Sequence, residues 1–283
     1  MGARGAYWAL TKPGITHLVV LTTAAGFWLG GPGAPNWDML AALLGTALVT
    51  AGTNALNQWW ERDADARMAR TCRRPLPSGS LSPRSAFVFG VSIAIVGLIW
   101  LALLVNPLTA WLAGASLASY VFLYTPLKRR TSLALFVGAV PGALPILGGW
   151  TAATGRVTLP AVVLFAILFL WQIPHFLALG WLYREDYRRG GFAMLSRCDT
   201  DGRDSGRLTV AFAAALLVTS LLPAFVGIAG PSYLATAAAL GTMLLAYSGA
   251  LLRAPTAVAA RRVFHTSIAY LPALLLLLVI LPH

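Results

Sequence analysis

The chain encodes an all-α membrane protein of nine spanning helices, N-terminus in the cytoplasm and C-terminus outside. Three observations point there: its composition, the length of its apolar runs and the placement of its cations. Of 283 residues, 58% are hydrophobic and only 11% charged, and mean hydropathy is +0.73. Runs near 13–30, 38–60, 85–105, 108–127, 132–151, 159–182, 208–228, 233–252 and 263–281 approach the roughly 20 apolar residues that a bilayer crossing needs. The loops between them alternate in charge. Of 21 Lys and Arg, all but Arg156 fall on one side, which positive-inside topology makes cytoplasmic. The net charge of +12 is therefore a topology signal. No nucleic-acid partner is expected, and membrane lipid is the chain's surroundings.

Taken in order, the first span follows Arg4 and Lys12 and has no small-residue cleavage site of the signal-peptide kind. No Arg- and Ser-rich leader precedes it, which favours a bacterial plasma membrane over an organelle. Asp38 is expected to cap the second span, which ends in an acidic cluster. The third and fourth are plain apolar helices, the fourth running into Tyr124-Thr125-Pro126-Leu127-Lys128-Arg129-Arg130. The fifth is interrupted by Gly138, Pro141, Gly142, Pro145, Gly148 and Gly149. Its freed backbone groups need partners or a polar cavity, unless the small residues serve close helix packing. The sixth carries Trp171, Gln172, Pro174 and His175. The last three hold almost nothing polar beyond Ser, Thr and Tyr and read as scaffold. No long linker divides the chain, so 1–283 reads as one domain. Cys72 and Cys198 both fall on the cytoplasmic side, where no disulfide framework is expected, and neither has metal-site spacing.

Chemistry concentrates at two helix ends, where acids meet an unfavourable macrodipole. At about 100° per residue, Asn54, Asn57, Glu61 and Asp65 share one helix face, with Asp63 on roughly the opposite side. Amide and carboxylate oxygens in that pattern suit a hard cation. Mg²⁺ in particular binds through one or two carboxylates plus substrate phosphates. The following basic run, Arg67 to Arg74, offers phosphate contacts. The alternative is a salt-bridged helix end in which Arg62 and Arg67 neutralise the acids; it leaves Asn54 and Asn57 unexplained at membrane depth. In the sixth span Gln172, His175, Leu179, Tyr183 and Asp186 fall on one helical face. His175 serves either as a packed polar residue or as part of a site.

The run from Asn57 to Asp65 resembles the NDxxDxxxD signature of intramembrane UbiA-type prenyltransferases. More narrowly, that run with Arg70 to Gly79, the Tyr124–Arg129 run, Pro141 to Pro145, Trp171 to Phe176 and Tyr183 to Tyr187 resembles the branch of this family that prenylates haem. The likeness covers most of the chain up to about residue 195. It implies nine helices around a central cavity opening to lipid, with the active site near the cytoplasmic face. The implied reaction transfers the farnesyl group of farnesyl diphosphate to a vinyl group of haem B. Water is added, giving haem O for terminal-oxidase assembly, with a haem A synthase or oxidase-assembly factor as partner. It implies Mg²⁺ at Asn57, Glu61, Asp63, Asp65 and Asp186, with diphosphate at Arg67, Arg70, Lys128, Arg129 and Arg184. Lys128 joins Asn57 and the three acids as catalytic, and haem is expected at Trp171, Gln172 and His175. Three departures stand out: Gln58 replaces an acid of the signature, Glu61 replaces Asp, and Tyr183 and Tyr187 occupy the second motif's acid positions. A prenyltransferase for a quinone precursor is the rival enzyme, against which Trp171–Phe176 argues. A transporter would place acids at midplane, whereas here they cluster at one edge.

Overall fold

In the computed structural model the described residues are 2–31, 33–193, 195, 199 and 201–280. Arg197, Cys198, His283 and the end of the expected ninth span lie outside them. Among the described residues all regular structure is helical, and nine helices are long and apolar enough to cross a membrane. They match the expected spans to within a few residues at most ends. The chain divides into two compact units, Met1–Val157 with Glu185–Ala193, and Thr158–Arg184 with Met194–His283.

The first unit begins with a short helix, α1 (Ala3–Leu10), that the apolar runs do not foretell. It continues through α2 (Pro13–Gly30), α3 (Trp37–Asp65), α4 (Pro83–Leu104) and α5 (Pro107–Ala118). A π-helical turn, Ser119–Tyr124, then leads to a three-residue α6 (Thr125–Leu127) and to α7 (Ala134–Thr154). Helix starts are set locally. Pro13, Pro83 and Pro107 stand in first turns, where a missing N–H costs nothing. Asn106 caps α5 by accepting from the Thr109 N–H at 2.8 Å. Asp38 is not the cap expected of it. Asn36 accepts from the Met39 N–H at 2.8 Å, and Asp38 lies in the first turn, where the positive helix end favours an acid.

Helix α7 runs unbroken despite its two internal prolines. Pro145 cannot donate to the carbonyl of Pro141, and that oxygen instead accepts from Ser116 Oγ at 3.0 Å. The glycines serve close packing: a Cβ on Gly149 would overlap the Thr23 carbonyl, and one on Gly26 would overlap the Ile146 carbonyl. These reciprocal approaches draw α2 against α7. Helix α1 is pinned to α3 by Gln58, whose Nε2 donates to the carbonyls of Leu10 (2.9 Å) and Ala9 (3.3 Å). Leu10, Ala55, Leu76 and Ala86 form a small apolar core beneath it.

The second unit holds α8 (Leu159–Leu182). After the short α9 (Arg184–Gly190) come α10 (Arg203–Phe225), α11 (Pro231–Arg253) and α12 (Ala257–Ile280). Helix α8 packs on α10 and α12, and α11 bridges those two. The expected face from Gln172 to Asp186 is not continuous. Helix α8 stops at Tyr183, which leaves helical geometry at φ −109, ψ 23, so Asp186 belongs to α9.

The contrast between two adjacent glycines checks the α2–α7 contact. Gly149→Ala is expected to lower the thermal unfolding midpoint in detergent, with an overpacking cost of about 1–3 kcal/mol. Gly148→Ala, which meets nothing within 4 Å, should be neutral or gain up to about 1 kcal/mol of helix propensity. Equal melting of the two variants would refute the contact.

Candidate active site at the end of the third helix

The polar face expected on α3 is present and buried: Asn54, Asn57, Glu61 and Asp65 expose 3%, 1%, 4% and 1% of their surface. Acids so placed need cations, and the chain supplies them from three separate segments. Lys128 Nζ donates to Glu61 Oε1 at 2.6 Å. Arg74 Nη1 donates to both oxygens of Asp65, at 2.9 and 2.7 Å. Lys12 Nζ donates to Asn57 Oδ1 at 2.7 Å, and the Asn57 amide donates to Thr125 Oγ1 at 3.2 Å. Three cations thus face two carboxylates, and the cluster holds a positive excess.

Each cation is aimed by local structure. Lys12 adopts a left-handed conformation (φ 47), singular among the described non-glycine residues and costing about 1–2 kcal/mol. Pro13 bars the right-handed helix just before it, and the Asn54 amide donates to the Thr11 carbonyl at 3.1 Å and to Thr16 Oγ1 at 3.3 Å. The turn so held directs Lys12 at Asn57. Lys128 follows the π-helical turn, whose Tyr120 carbonyl accepts from Thr125 Oγ1 at 2.8 Å. Such a turn shifts the helix register relative to an α-helix, and Thr125 and Lys128 both meet α3. The Lys128 ammonium also lies 4.7 Å from the Tyr124 ring centroid and 5.2 Å from that of Phe192. Arg74 is positioned by the turn after α3, where Thr71 Oγ1 donates to the Asp65 carbonyl at 2.9 Å.

Burial pushes the Lys12 ammonium down to about 7, Arg74 adds repulsion, and Glu61 offsets part of it. Burial also pushes Lys128 down, but the Glu61 carboxylate, as charge and hydrogen-bond partner, together with Tyr120 and Tyr187 raises that lysine above its ordinary value. The charged form of Lys12 is the one the cluster leaves short of negative partners.

Other expected residues lie apart from this cluster. Asp63 points outward with 70% of its side chain exposed, 3.8 Å from Arg62, as helical periodicity dictates. Arg67 is spent on the Asp63 carbonyl at 3.1 Å, and Arg129 is exposed. The Arg70 guanidinium lies 4.9 Å from the Tyr187 ring centroid. Asp186 accepts from the Arg70 backbone N–H at 3.4 Å and pairs with Arg189 at 3.6 Å. Arg184 belongs to the second unit, where it stacks 4.5 Å over Trp181. Lys12 and Thr125 are the members that sequence reasoning missed, and Arg74 was foreseen only as part of the basic run from Arg67. Lys12 had a signal, a lone cation immediately before the proline that opens a span; Arg74 was one arginine among five.

As to metal, no group of three or more His, Cys, Asp or Glu converges among the described residues. A full protein cage is thereby absent from them, yet the donor set fits Mg²⁺. Asn57, Glu61 and Asp65 offer hard oxygens on one face, each already meeting a cationic nitrogen within 2.9 Å. Phosphate oxygens would complete the shell.

The second unit carries the other expected cluster. Trp171 Nε1 donates to the Ser267 carbonyl at 2.6 Å, and His175 Nδ1 lies 2.9 Å from Ser267 Oγ. The His175 ring stacks on Trp171 and on Phe264, with centroids 5.1 and 4.9 Å apart. Gln172 Nε2 donates to the Leu168 carbonyl at 3.1 Å. Helix α12, expected to be scaffold, therefore supplies two members of this cluster, Phe264 and Ser267.

These features are those of a known family. The chain belongs to the UbiA prenyltransferase family, whose profile matches residues 19–277. It is 48% identical over 279 residues to a protoheme IX farnesyltransferase of Solibacter usitatus, covering 94% of each chain. It is 42% identical over 275 residues to the protein of that name from Salinibacter ruber, covering 97% of each. Among solved structures, a digeranylgeranylglyceryl phosphate synthase superposes with a TM-score of 0.83 at 19% identity, covering 99% of this chain and 98% of that one. A UbiA homolog from Archaeoglobus fulgidus bound to DMAPP and Mg²⁺ gives 0.67 at 17% identity, covering 95% and 99%. These two establish the fold.

Breaking one buried pair tests the electrostatic account. Arg74→Gln strands a carboxylate that is 1% exposed and should cost about 3 kcal/mol, read as a lowered unfolding midpoint in detergent. Adding Asp65→Asn should restore more than half of that loss. Strict additivity of the two substitutions would argue against the pairing.

Proposed function

We propose that this protein transfers the farnesyl group of farnesyl diphosphate to a vinyl group of haem B, giving haem O and diphosphate. The observation that carries the diphosphate half is the excess of cations over the buried carboxylates, three against two, at the end of α3. The family and the two relatives named above carry the acceptor. In the reaction the allylic C–O bond of the diphosphate breaks and a C–C bond forms to the vinyl carbon. Water supplies the hydroxyl on the neighbouring carbon.

The chain's own part is to bind and to stabilise charge. Lys12, Lys128 and Arg74 attract the diphosphate. As the C–O bond breaks, negative charge grows on the leaving oxygens, and pre-aimed donors stabilise it without reorganising. Asn57, Glu61 and Asp65 are the residues to hold Mg²⁺, which when bound adds Lewis-acid stabilisation of the leaving group. Carboxylates and cations already in contact must re-pair when substrate and metal enter, so Glu61 and Asp65 hold the lysine and arginine ready in the meantime. Apolar helix walls keep water from the allylic carbon until the new bond has formed. Trp171, Gln172 and His175 contact haem, with the tryptophan and histidine of α8 held against α12 by Ser267.

The site lies at the cytoplasmic face of a bacterial plasma membrane, on the strength of the loop cations. A haem A synthase or oxidase-assembly factor receives the product, because haem O carries a long apolar tail and does not cross water readily.

Purified protein incubated with Mg²⁺, farnesyl diphosphate and haem B, followed by mass analysis of the porphyrin, tests the reading. Glu61→Gln and Asp65→Asn are each expected to lower kcat at least ~100-fold while the protein stays folded. Lys12→Met should lower kcat/KM for farnesyl diphosphate by about 100-fold and leave haem affinity unchanged. Normal turnover in all three variants would overturn the assignment, and a prenylated quinone without haem O would overturn the acceptor.

A further inference from the structure

We infer that Ser267 is a positioning residue that sets the tautomer of His175, so that the imidazole presents an unprotonated Nε2 to the haem iron. The inference rests on the haem-contact reading of His175 given above and adds a residue and a ring state to it. It follows from counting protons. The Ser267 hydroxyl has one hydrogen, and it is committed: Ser267 Oγ donates to the Phe264 carbonyl at 2.7 Å, an oxygen that can only accept. Toward His175 Nδ1, 2.9 Å away, the same oxygen therefore acts as acceptor. Nδ1 must carry a hydrogen to make that bond. A neutral imidazole has a single N–H, which leaves the lone pair on Nε2. Among the described residues no hydrogen bond engages Nε2.

The surroundings make this state persistent. Ser267 is fully buried at 0% exposure. Its backbone carbonyl accepts from Trp171 Nε1 at 2.6 Å, so one residue anchors two neighbouring aromatic side chains of α8. The two rings stacked on His175, tilted only 24° and 30° from it, cover its face. What the ring has left to offer is an edge, and edge-on approach through Nε2 is how imidazole ligates iron. The ligand class is a metalloporphyrin with an open axial position. The partner on the far nitrogen fixes ring orientation and raises ligand basicity, an effect worth about 10–100-fold in metal affinity.

The test combines two readouts on the full-length protein in detergent. Nitrogen-15 NMR of histidine-labelled wild type is expected to show His175 as the Nδ1–H tautomer, and Ser267→Ala should show a mixture. In the ferrous haem-loaded state, wild type and Ser267→Thr should give an iron–histidine stretch by resonance Raman. Ser267→Ala should lose it or bind haem about 10-fold more weakly, with farnesyl diphosphate affinity unmoved. An Nε2–H tautomer in the wild type would overturn the inference even if no Ser267 variant folds. So would an unchanged tautomer and haem affinity in Ser267→Ala while His175→Ala loses the iron–histidine signal. Persistence of that signal in His175→Ala would instead remove the haem-contact reading itself.

Discussion

The first unit is organised by the need to neutralise acids at the end of a membrane helix. Glu61 and Asp65 stand in the last turns of α3, nearly without solvent and at the negative pole of the helix. Left alone they would carry the full desolvation cost of a buried charge. Each is met by a cation from a different stretch: Lys128 after the π-helical turn and Arg74 from the turn beyond α3. Lys12, from the junction of α1 and α2, meets the neighbouring Asn57. Each contact also closes part of the fold, so the same bonds that neutralise the acids fasten three segments to one helix. With Lys12 charged, the arrangement holds three cations against two carboxylates, which supports the proposed binding of an anionic diphosphate.

The nine spans were legible because apolar runs and loop cations are local signals, each readable within some twenty residues. The face of α3 was legible for the same reason, since a period of 3.6 places Asn54, Asn57, Glu61 and Asp65 together without knowledge of anything else. That periodicity also turned Asp63 outward, where it is found; the likeness to a family signature retained it among the expected ligands. The partners of these acids were not legible. Which of Arg62, Arg67, Arg70, Arg73 and Arg74 reaches Asp65 depends on an irregular turn whose geometry rests on single bonds such as Thr71 Oγ1 to the Asp65 carbonyl. Lys128 depends on a π-helical turn that no pattern of apolar residues announces. In α7 the prolines and glycines signalled something unusual, and both expected explanations operate. One freed carbonyl finds Ser116, and the glycines admit a neighbouring backbone.

Strain is concentrated where the charge is. Lys12 is the described non-glycine residue held at positive φ, and it is also the cation that burial makes hardest to keep charged. In the proposed reaction a bound diphosphate compensates the ammonium, whereas the backbone strain is borne by the fold. A flexible lysine on an ordinary turn would avoid the strain but would have to be ordered during each catalytic cycle. Pre-aiming transfers that cost to folding, where α1, Gln58 and the small core around Leu10 and Ala55 offset it.

The second unit follows a different logic, in keeping with the haem contact proposed for it. Its described cluster relies on stacking and neutral hydrogen bonds, with Ser267 holding Trp171 through its carbonyl and His175 through its hydroxyl. A porphyrin is a flat apolar plate with a metal at its centre. Recognising it calls for rigid aromatic surface and one well-oriented nitrogen more than for charge. Serine is well matched to that task because its single proton is already given to a helix carbonyl, so the oxygen facing the ring has nothing left to donate. A side chain with two donors there would allow the imidazole to flip its proton, and an apolar one would leave the choice open. Polar residues in largely apolar spans thus act by limiting the states of a neighbour, whereas those at the end of α3 act through the charge they carry.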